Sequence, residues 1–390
     1  MGDKMETKQR KAVSLETFVV IIVVVGLFVY MGNVMGVGNM FNTLMYTAHD
    51  LLLNTVFFIM AIAVLTGALS ALMSEFGVIA LINYLISPIM GPLYKLPGAA
   101  ALGVVTTFLS DNPAIIGLAN DKGFSRYFKD YQMPTLCNLG TSFGMGLIVW
   151  TFMGSLGNGI EYMKAATIGV LGAVIGSIVS VRIMLYFTKK FFGVTNKNGT
   201  DTIGVYDGMR DVPEGSAVER VLNAILEGGK NGVQTGMDII PGVVVICTLV
   251  MILTSKGQVD ASGNIIYTGA AYEGVGLIPK LGELVSPIIN PIFGFTSPEA
   301  IAFPITALGA VGAAMGMVPR LLTEGLIGGN DIAVFTALGM CWSGYLSTHV
   351  GMMDALGVRK LATKAIISHT IGGIVAGASA HFIYVLLIGS

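Results

Sequence analysis

A short polar segment interrupts two apolar runs in the first half of the chain, and it contains Ser110, Asp111 and Asn112 followed by Pro113. An ionisable side chain within apolar sequence of membrane-spanning character is costly and is usually functional. The same residues are typical of a helix N-cap. Both roles are compatible, because the N-terminus of a helix at mid-membrane can itself hold an ion or a polar solute. The segment is therefore the first candidate for a binding site.

Polar side chains at helical spacing provide further candidates. Asn138, Thr141 and Ser142 are spaced i, i+3 and i+4, so they share one face of a helix. In the second half, Ser343 and Ser347 are likewise predicted to share a face. Such residues can also form ordinary hydrogen bonds between helices in lipid, which is the alternative interpretation. Together with a threonine near a predicted bend, the candidate substrate- or ion-binding residues are Ser110, Asp111, Asn112, Asn138, Thr141, Ser142, Thr306, Ser343 and Ser347.

Motifs of enzymes and of metal or cofactor sites are absent from the sequence. It contains no G-x-S-x-G, CxxC, HExxH or Walker sequence, and its four histidines have no ligand spacing. The three cysteines lie in apolar runs and the 22 methionines are dispersed, which is typical of apolar packing. We therefore predict a protein that is not an enzyme, with no metal site and no cofactor other than a coupling Na⁺ or H⁺.

The composition of the 390 residues predicts an all-α polytopic membrane protein. Hydrophobic residues make up 54% of the chain and charged residues 12%, whereas a soluble domain carries about 25% charged residues. This excludes both a soluble domain and intrinsic disorder. The net charge of −1 gives no basis for binding nucleic acid. The expected partners are the lipid bilayer and a small molecule.

Six segments are apolar over about 20 residues, the length that crosses a bilayer. A seventh candidate span, 331–350, is more polar. The basic residues before the first segment and the length of that segment indicate an uncleaved helix with a cytoplasmic N-terminus, not a signal peptide. We expect a multi-pass protein of the cell (inner) membrane, with spans at 15–36, 51–73, 132–155, 164–187, 236–255 and 364–388.

Two proline-rich stretches, 76–119 and 281–319, are predicted to be broken helical hairpins, because proline removes a backbone donor and interrupts a helix. The stretches also resemble each other. Residues 85–94 and 284–293 share the pattern L-[IV]-S-P-I-x-x-P-x-aromatic at an offset of 199 residues. Broken backbone survives in a membrane only where it is buried in protein or lines a cavity. Each stretch is either re-entrant or crosses the membrane twice.

The distribution of basic residues predicts the orientation of the two repeats. If each proline-rich stretch crosses an even number of times, 16 Lys and Arg residues lie in cytoplasmic segments and four lie in outside loops. Equivalent helices then run in opposite directions, so the repeats are inverted, with the C-terminus outside. Residues 37–50 and 216–234 are either short surface helices or loops. The predicted units are a cytoplasmic N-terminus with an extra transmembrane helix (1–39), a first inverted repeat (40–190), a cytoplasmic linker (191–216) and a second inverted repeat (217–390).

The order of elements over about 40–390 resembles that of the nucleoside recognition, or Gate, domain family of bacterial membrane proteins. A glycine-rich amphipathic segment at 227–232 leads into a helix with Pro241-Gly242, then a hairpin, then a polar helix. The family includes the membrane domain of ferrous iron transporter B and spore maturation proteins A and B, and it is distantly similar to concentrative nucleoside transporters. The resemblance implies a transport-type fold with two hairpins around a central site, often in a homo-oligomer such as a dimer or trimer.

The first hairpin departs from that resemblance. Asp111 and Asn112 stand where concentrative nucleoside transporters carry glutamine and glutamate, so a nucleoside substrate is not supported. Inverted repeats with broken helices indicate a secondary transporter of a small polar solute that works by alternating access and is coupled to H⁺ or Na⁺. Asp111 is then the coupling acid or the charge partner of a cationic substrate. The alternatives are a divalent-metal or lipid-type permease and a non-transporting membrane scaffold of the spore-maturation type.

Overall fold

The computed structural model describes residues 11–120, 122–157, 160–193 and 212–389, without the side chains of residues 122, 123 and 347. Most of the predicted cytoplasmic linker lies outside the described residues. The helices of the first half are α1 Leu15–Met35, α2 Val37–Asp50, α3 Phe57–Glu75, α4 Val78–Tyr94, α5 Ala100–Leu109, α6 Ala114–Asn120, α7 Lys122–Ser125, α8 Thr135–Thr141, α9 Gly146–Ser155 and α10 Ile160–Phe192.

The second half has the same kinds of element and a small β-hairpin. π-helical turns at Leu51–Val56 and Gly242–Cys247 join α2 to α3 and α11 to α12, and 3₁₀ turns at Pro298–Ile301 and Arg359–Leu361 precede α14 and α18. The elements are α11 Ala217–Pro241, α12 Thr248–Thr254, β1 Gln258–Val259, β2 Ile265–Ile266, α13 Leu277–Phe293, α14 Ala302–Ala307, α15 Val311–Thr323, α16 Gly329–Cys341, α17 Tyr345–Ala355 and α18 Ala362–Ile388.

Among the described residues, six helical segments are long and apolar enough to cross a membrane, which agrees with the six predicted spans. Val37–Glu75 and Ala217–Thr254 are much longer than predicted, because α2 and α11 continue through the π-helical turns into the next helix. The loop alternative for 37–50 and 216–234 is therefore wrong. The seventh predicted span is divided into α16 and α17. The chain is a multi-pass, all-α membrane protein.

Helices α3 and α11 cross closely and antiparallel. A Cβ on Gly228 would lie 2.7 Å from the Cβ of Ala71, and a Cβ on Gly232 would lie 2.5 Å from the Cα of Val64. Only small residues allow backbones to approach this closely in a membrane. The glycine-rich segment that the sequence singled out is therefore a packing surface between the two halves.

Helices α10 and α18 form a second antiparallel crossing of the same kind. A Cβ on Gly172 would lie 2.8 Å from the Cβ of Ala380, and one on Gly176 would lie 2.5 Å from the Cβ of Ala376. Farther along α10, Ser180 lies against Gly372. Because the contacts advance along α10 while they recede along α18, the two helices run in opposite directions.

The repeated prolines do not break the chain, contrary to the prediction. Pro88 and Pro92 lie within the continuous helix α4, and Pro287 and Pro291 lie within α13. Prolines four residues apart free carbonyl groups on one face of a helix, so the remaining backbone hydrogen bonds can persist. The true hairpins follow these helices, and they are α5–α6 and the 3₁₀ turn with α14 followed by α15.

Sharp backbone turns recur at matched positions in the two halves. Left-handed backbone is costly for residues other than glycine, so its recurrence marks turns that the chain must make. Six left-handed residues fall into three pairs, each separated by 199 positions, which are Gly77 and Gly276, Lys95 and Gly294, and Met145 and Gly344. The offset found in the proline motif therefore also relates the ends of α4 and α13 and the starts of α9 and α17.

An ion pair joins the ends of α3 and α11. The Nε of Arg220 donates to the Oε1 of Glu75 at 2.6 Å, and both side chains are more than four-fifths buried. We expect Glu75→Gln to lower the stability by about 1–3 kcal/mol, because it leaves a partly buried guanidinium without its carboxylate. Thermal unfolding in detergent measures this. Glu227→Gln is the matched control, because its partner Lys230 and Glu227 itself are about 70% exposed and such pairs contribute little. Equal effects of the two substitutions would contradict the prediction.

Candidate functional site

The tip of the first hairpin bonds to a break in the next spanning helix. Helix α5 ends at Leu109 and α6 begins at Ala114, and between them the carbonyl oxygen of Ser110 accepts the backbone N–H of Met145 at 3.2 Å. Met145 is left-handed, with φ of 55°, and lies in the break between α8 and α9. The two interrupted helices therefore form a backbone hydrogen bond with each other, and a broken helix inside a membrane needs such partners for its free backbone groups.

The second hairpin makes an equivalent junction. Its tip lies between α14 and α15, and the backbone N–H of Gly344 donates to the carbonyl of Ala307 at 3.0 Å. The N–H of Leu346 donates to the carbonyl of Leu308 at 3.3 Å. Gly344 lies in the break between α16 and α17. Each hairpin tip thus meets an interrupted spanning helix of its own half.

Asn112 connects these two junctions. Its side chain is 1% exposed, and Nδ2 donates to the carbonyl of Ser343 at 3.2 Å and to the Oγ1 of Thr348 at 3.3 Å. The hydroxyl of Ser343 donates to the carbonyl of Thr141 at 3.4 Å. A Cβ on Gly144 would lie 2.9 Å from both the Oδ1 of Asn112 and the Oγ of Ser343. The site is a compact contact among the first hairpin and the two broken helices.

The structure therefore brings Asn112, Thr141 and Ser343 together, as the sequence predicted. Ser142 lies beside them, because its carbonyl accepts from the Sγ of Cys341 at 3.9 Å. Its own hydroxyl donates to the carbonyl of Asn138. Thr306 donates to Ala302 within its own hairpin and lies next to the tip.

Asn138 forms hydrogen bonds between helices, which is the alternative interpretation of these polar residues. Its Nδ2 donates to the Oγ of Ser180 at 3.0 Å and to the carbonyl of Ala365 at 3.0 Å, so it forms hydrogen bonds between α8, α10 and α18. It is completely buried. These contacts place its amide nitrogen away from the hairpin tip, in the packing of the last helices.

Asp111 is exposed at the tip and does not cap a helix. Its Oδ1 accepts the N–H of the adjacent Asn112 at 2.7 Å, which orders the bend. The hydroxyl of Ser110 donates to the carbonyl of Thr106 at 2.6 Å.

One predicted relationship in the second half is wrong. Ser343 and Ser347 were expected to share a helix face, but the break between α16 and α17 separates them. A glycine in the left-handed conformation at Gly344 ends the regular spacing. Ser347 lies on α17, and its side chain is outside the described part of the chain.

A cavity of about 480 Å³ reaches the first hairpin. It lies between the α3–α11 crossing and α5, and Ser110 is one of its lining residues. Its hydroxyl groups come from Thr66, Ser70, Ser74, Thr106, Ser110 and Thr235. None of the residues lining this cavity is aromatic or basic. The cavity suits a small polar solute and provides no ring on which a planar base could stack.

A second cavity, of about 310 Å³, lies near the N-terminal end of α3. It is bounded by Asp50, Asn54 and Tyr272, with Arg320 of α15 on the other wall. The hydroxyl of Tyr272 donates to Asp50 at 2.6 Å, and Asn54 donates to the other carboxylate oxygen at 2.7 Å. These two hydrogen bonds hold Tyr272 and Asn54 on the same carboxylate at the wall of the cavity.

Several residues of the site escaped the sequence reasoning. Thr348 and Gly144 carry no motif, and only the backbone breaks reveal them. His349 and His369 are 20 positions apart, yet their rings lie 4.8 Å apart between centroids. Within the described residues, no group of three or more metal-ligating side chains is present.

The structure resembles solved transporters, although neither a family model nor a curated protein matches the sequence. A doubly substituted variant of the concentrative nucleoside transporter CNTnw in an outward-facing state is 15% identical, with a TM-score of 0.56 over 96% of this chain and 86% of that one. CNTnw in an inward-facing substrate-bound state is 12% identical, with a TM-score of 0.53 over 94% and 86%. The protein therefore has the fold of the concentrative nucleoside transporters.

Proposed function

We propose that the protein is a secondary transporter of a small polar solute, coupled to H⁺ or Na⁺ and working by alternating access in the cell membrane. The observation that carries this proposal is the position of the hairpin tips. Each tip bonds to a broken helix of its own half. One cavity lies near each end of α3. A polar site flanked by two access routes is the arrangement that alternating access requires. The shared fold with CNTnw supports it.

The proposal includes two inverted repeats, at 40–190 and 217–390. The antiparallel crossings of α3 with α11 and of α10 with α18 support it, since each joins corresponding segments of the two halves, Val37–Glu75 with Ala217–Thr254 in the first case. The matched left-handed residues support it as well. With the N-terminus in the cytoplasm, the larger cavity opens inward, because it contains Glu75 at the end of α3. The conformation is then inward-facing.

The solute class follows from the walls of the larger cavity and from Asp111. Hydroxyl-rich walls without aromatic or basic side chains favour a small solute that donates hydrogen bonds. The exposed carboxylate of Asp111, next to Ser110 in the chain, favours a positive charge on the solute or on the coupling ion. We propose Ser110 and Asp111 as the part of the site nearest the cavity, with Asn112 holding the hairpin tip against α17.

We expect Asp111→Asn to lower transport at least tenfold, or to change its ion dependence, because the substitution removes the negative charge at the tip. The solute is first identified by thermal-shift screening of the purified protein against amines, amino acids, nucleosides and metal ions, with and without Na⁺, because ligands stabilise the folded state. Uptake into proteoliposomes then compares the variant with the wild type.

The control for Asp111→Asn is Glu283→Gln, an exposed acid on α13 away from both cavities. It should transport at the wild-type rate. Unchanged rate and ion dependence in Asp111→Asn would contradict the proposed role. If no compound stabilises the wild-type protein, the membrane-scaffold alternative is favoured instead. Stabilisation by a divalent metal alone favours a metal permease.

A further inference from the structure

Three aromatic side chains form a buried cluster beside the site. Tyr345 begins α17, His349 lies one turn later and His369 lies on α18. The ring centroids of Tyr345 and His349 are 5.4 Å apart, those of Tyr345 and His369 are 5.1 Å apart, and those of the two imidazoles are 4.8 Å apart. Both histidines are completely buried. Their nearness to Thr348 links them to Asn112 and the first hairpin.

The hydrogen bonds of His369 assign its tautomer. Its Nε2 faces the carbonyl of Cys341, which can only accept, so Nε2 carries the hydrogen. Its Nδ1 lies 3.0 Å from the Oγ of Ser180. That hydroxyl already accepts from Asn138, so its own hydrogen is free to point at Nδ1. A neutral His369 therefore gives both of its ring nitrogens and the hydroxyl of Ser180 a hydrogen-bond partner.

The hydroxyl of Tyr345 also has a hydrogen-bond partner. Its hydroxyl lies 2.6 Å from the Oγ1 of Thr370, which donates its own hydrogen to the carbonyl of Ile366. The hydroxyl of Tyr345 is therefore the donor. No hydrogen bond joins Tyr345 or His369 to the remaining member of the cluster, His349.

His349 differs from both. Neither of its ring nitrogens has a hydrogen-bond partner among the described residues, although the side chain is 0% exposed. A buried polar group without a partner is costly and requires an explanation. We propose that His349 is a proton-binding site, and that a proton taken up there couples the transport cycle to H⁺. This inference rests on the proposed transport function and specifies its coupling ion.

The surroundings determine when the proton can bind. The titratable groups that face the ring of His349 are His369 from α18 and Tyr345 from its own helix. Helix α8 presents Thr141, which contacts Met352 and does not titrate, and α16 presents Cys341, whose carbonyl bonds to His369. At the far end of α17, Asp354 pairs with Arg359 at 3.3 Å. An imidazolium in this place would have no counter-ion among the residues that the structure describes.

Protonation therefore requires water to reach His349. Helix α17 must separate from α18 or from the first hairpin, and the lone pair of the His349 imidazole then accepts a proton from solvent. By linkage, a proton that binds only the hydrated form shifts the population towards that form, by up to tenfold per pH unit below about pH 6.5. The conformation in which His349 is completely buried is the deprotonated form.

Trp342 provides a readout that needs no solute. Its ring centroid lies 6.4 Å from that of Tyr345, and the chain has only one other tryptophan, Trp150. In a Trp150→Phe background in liposomes, we expect the emission of Trp342 to titrate between pH 8 and pH 5. His349→Gln should remove this titration. His49→Gln and His381→Gln, which alter histidines outside the cluster, should retain it. A titration that persists in His349→Gln, or its absence in the background protein, would overturn the proposal.

A second measurement covers the case in which His349→Gln does not fold. The four histidine ring signals of the ¹³C-labelled wild-type protein can be assigned with the His49, His369 and His381 variants. His349 should become protonated above pH 5 while His369 stays neutral, and a neutral His349 throughout would overturn the proposal. Transport driven by Na⁺ alone and unchanged in His349→Gln would overturn the proton site and leave the transport function. A normal titration of His349 without transport of any solute would overturn the transport function and leave the proton site.

Discussion

Replacing Asn112 by aspartate is expected to abolish transport near neutral pH and to lower the stability of the protein by about 3–5 kcal/mol, the cost of a buried charge without a partner. The amide nitrogen of Asn112 donates to the carbonyl of Ser343 and to Thr348. A carboxylate has the same shape but no hydrogen to donate, so one of its oxygens would face the Ser343 carbonyl. The junction between the first hairpin and α17 should then separate.

Acidification distinguishes this explanation from general misfolding. A protonated carboxyl group regains one donor and can bond to the carbonyl of Ser343. Asn112→Asp should therefore recover part of its thermal stability as the pH falls towards 4, whereas Asn112→Leu, which has no donor at any pH, should not. Ser110→Ala is the control, since its hydroxyl bonds only within its own turn. Equal pH profiles for the aspartate and leucine variants would show that the lost donor is not the cause.

Gly228→Ala is expected to lower the thermal stability by about 1–3 kcal/mol, although alanine normally favours a helix over glycine by about 1 kcal/mol. The new Cβ would lie 2.7 Å from Ala71 and closer still to the backbone of Gly67. The backbone of α3 cannot yield as a flexible side chain would, so α3 and α11 must move apart. Alanine would thus lower the stability at a helix position where it normally raises it, and this change of sign identifies the close crossing as the cause.

The neighbouring glycine provides the matched control. A Cβ on Gly229 would lie 3.7 Å from Val64, which is an ordinary contact, so Gly229→Ala should be neutral or stabilising. The two substitutions are chemically identical and one residue apart on the same helix. Thermal unfolding in one detergent compares them directly. A loss of stability in both variants, or in neither, would disprove the close crossing.

The six spans could be predicted from sequence, because a bilayer sets the length and polarity of a crossing helix whatever its neighbours are. The contact among Asn112, Thr141 and Ser343 could be predicted for a related reason, since polar side chains in such segments need partners. The helix breaks at Met145 and Gly344 could not. Proline was the expected cause, yet α4 and α13 contain their prolines intact.

The actual breaks depend on tertiary contacts. Met145 adopts a left-handed conformation beside the tip of the first hairpin, and nothing in its residue type favours this. The histidine cluster was missed for the same reason. His349 and His369 lie on different helices with no shared spacing, and only the packing of α17 against α18 brings their rings together.

The junctions at Ser110 with Met145 and at Ala307 with Gly344 are made by main-chain atoms. Every residue other than proline has the same N–H group, so mutation at the tips can change the side chains without removing these bonds. The solute preference can consequently change during evolution while the fold stays the same. A chain 15% identical to a CNTnw variant can therefore keep the same fold.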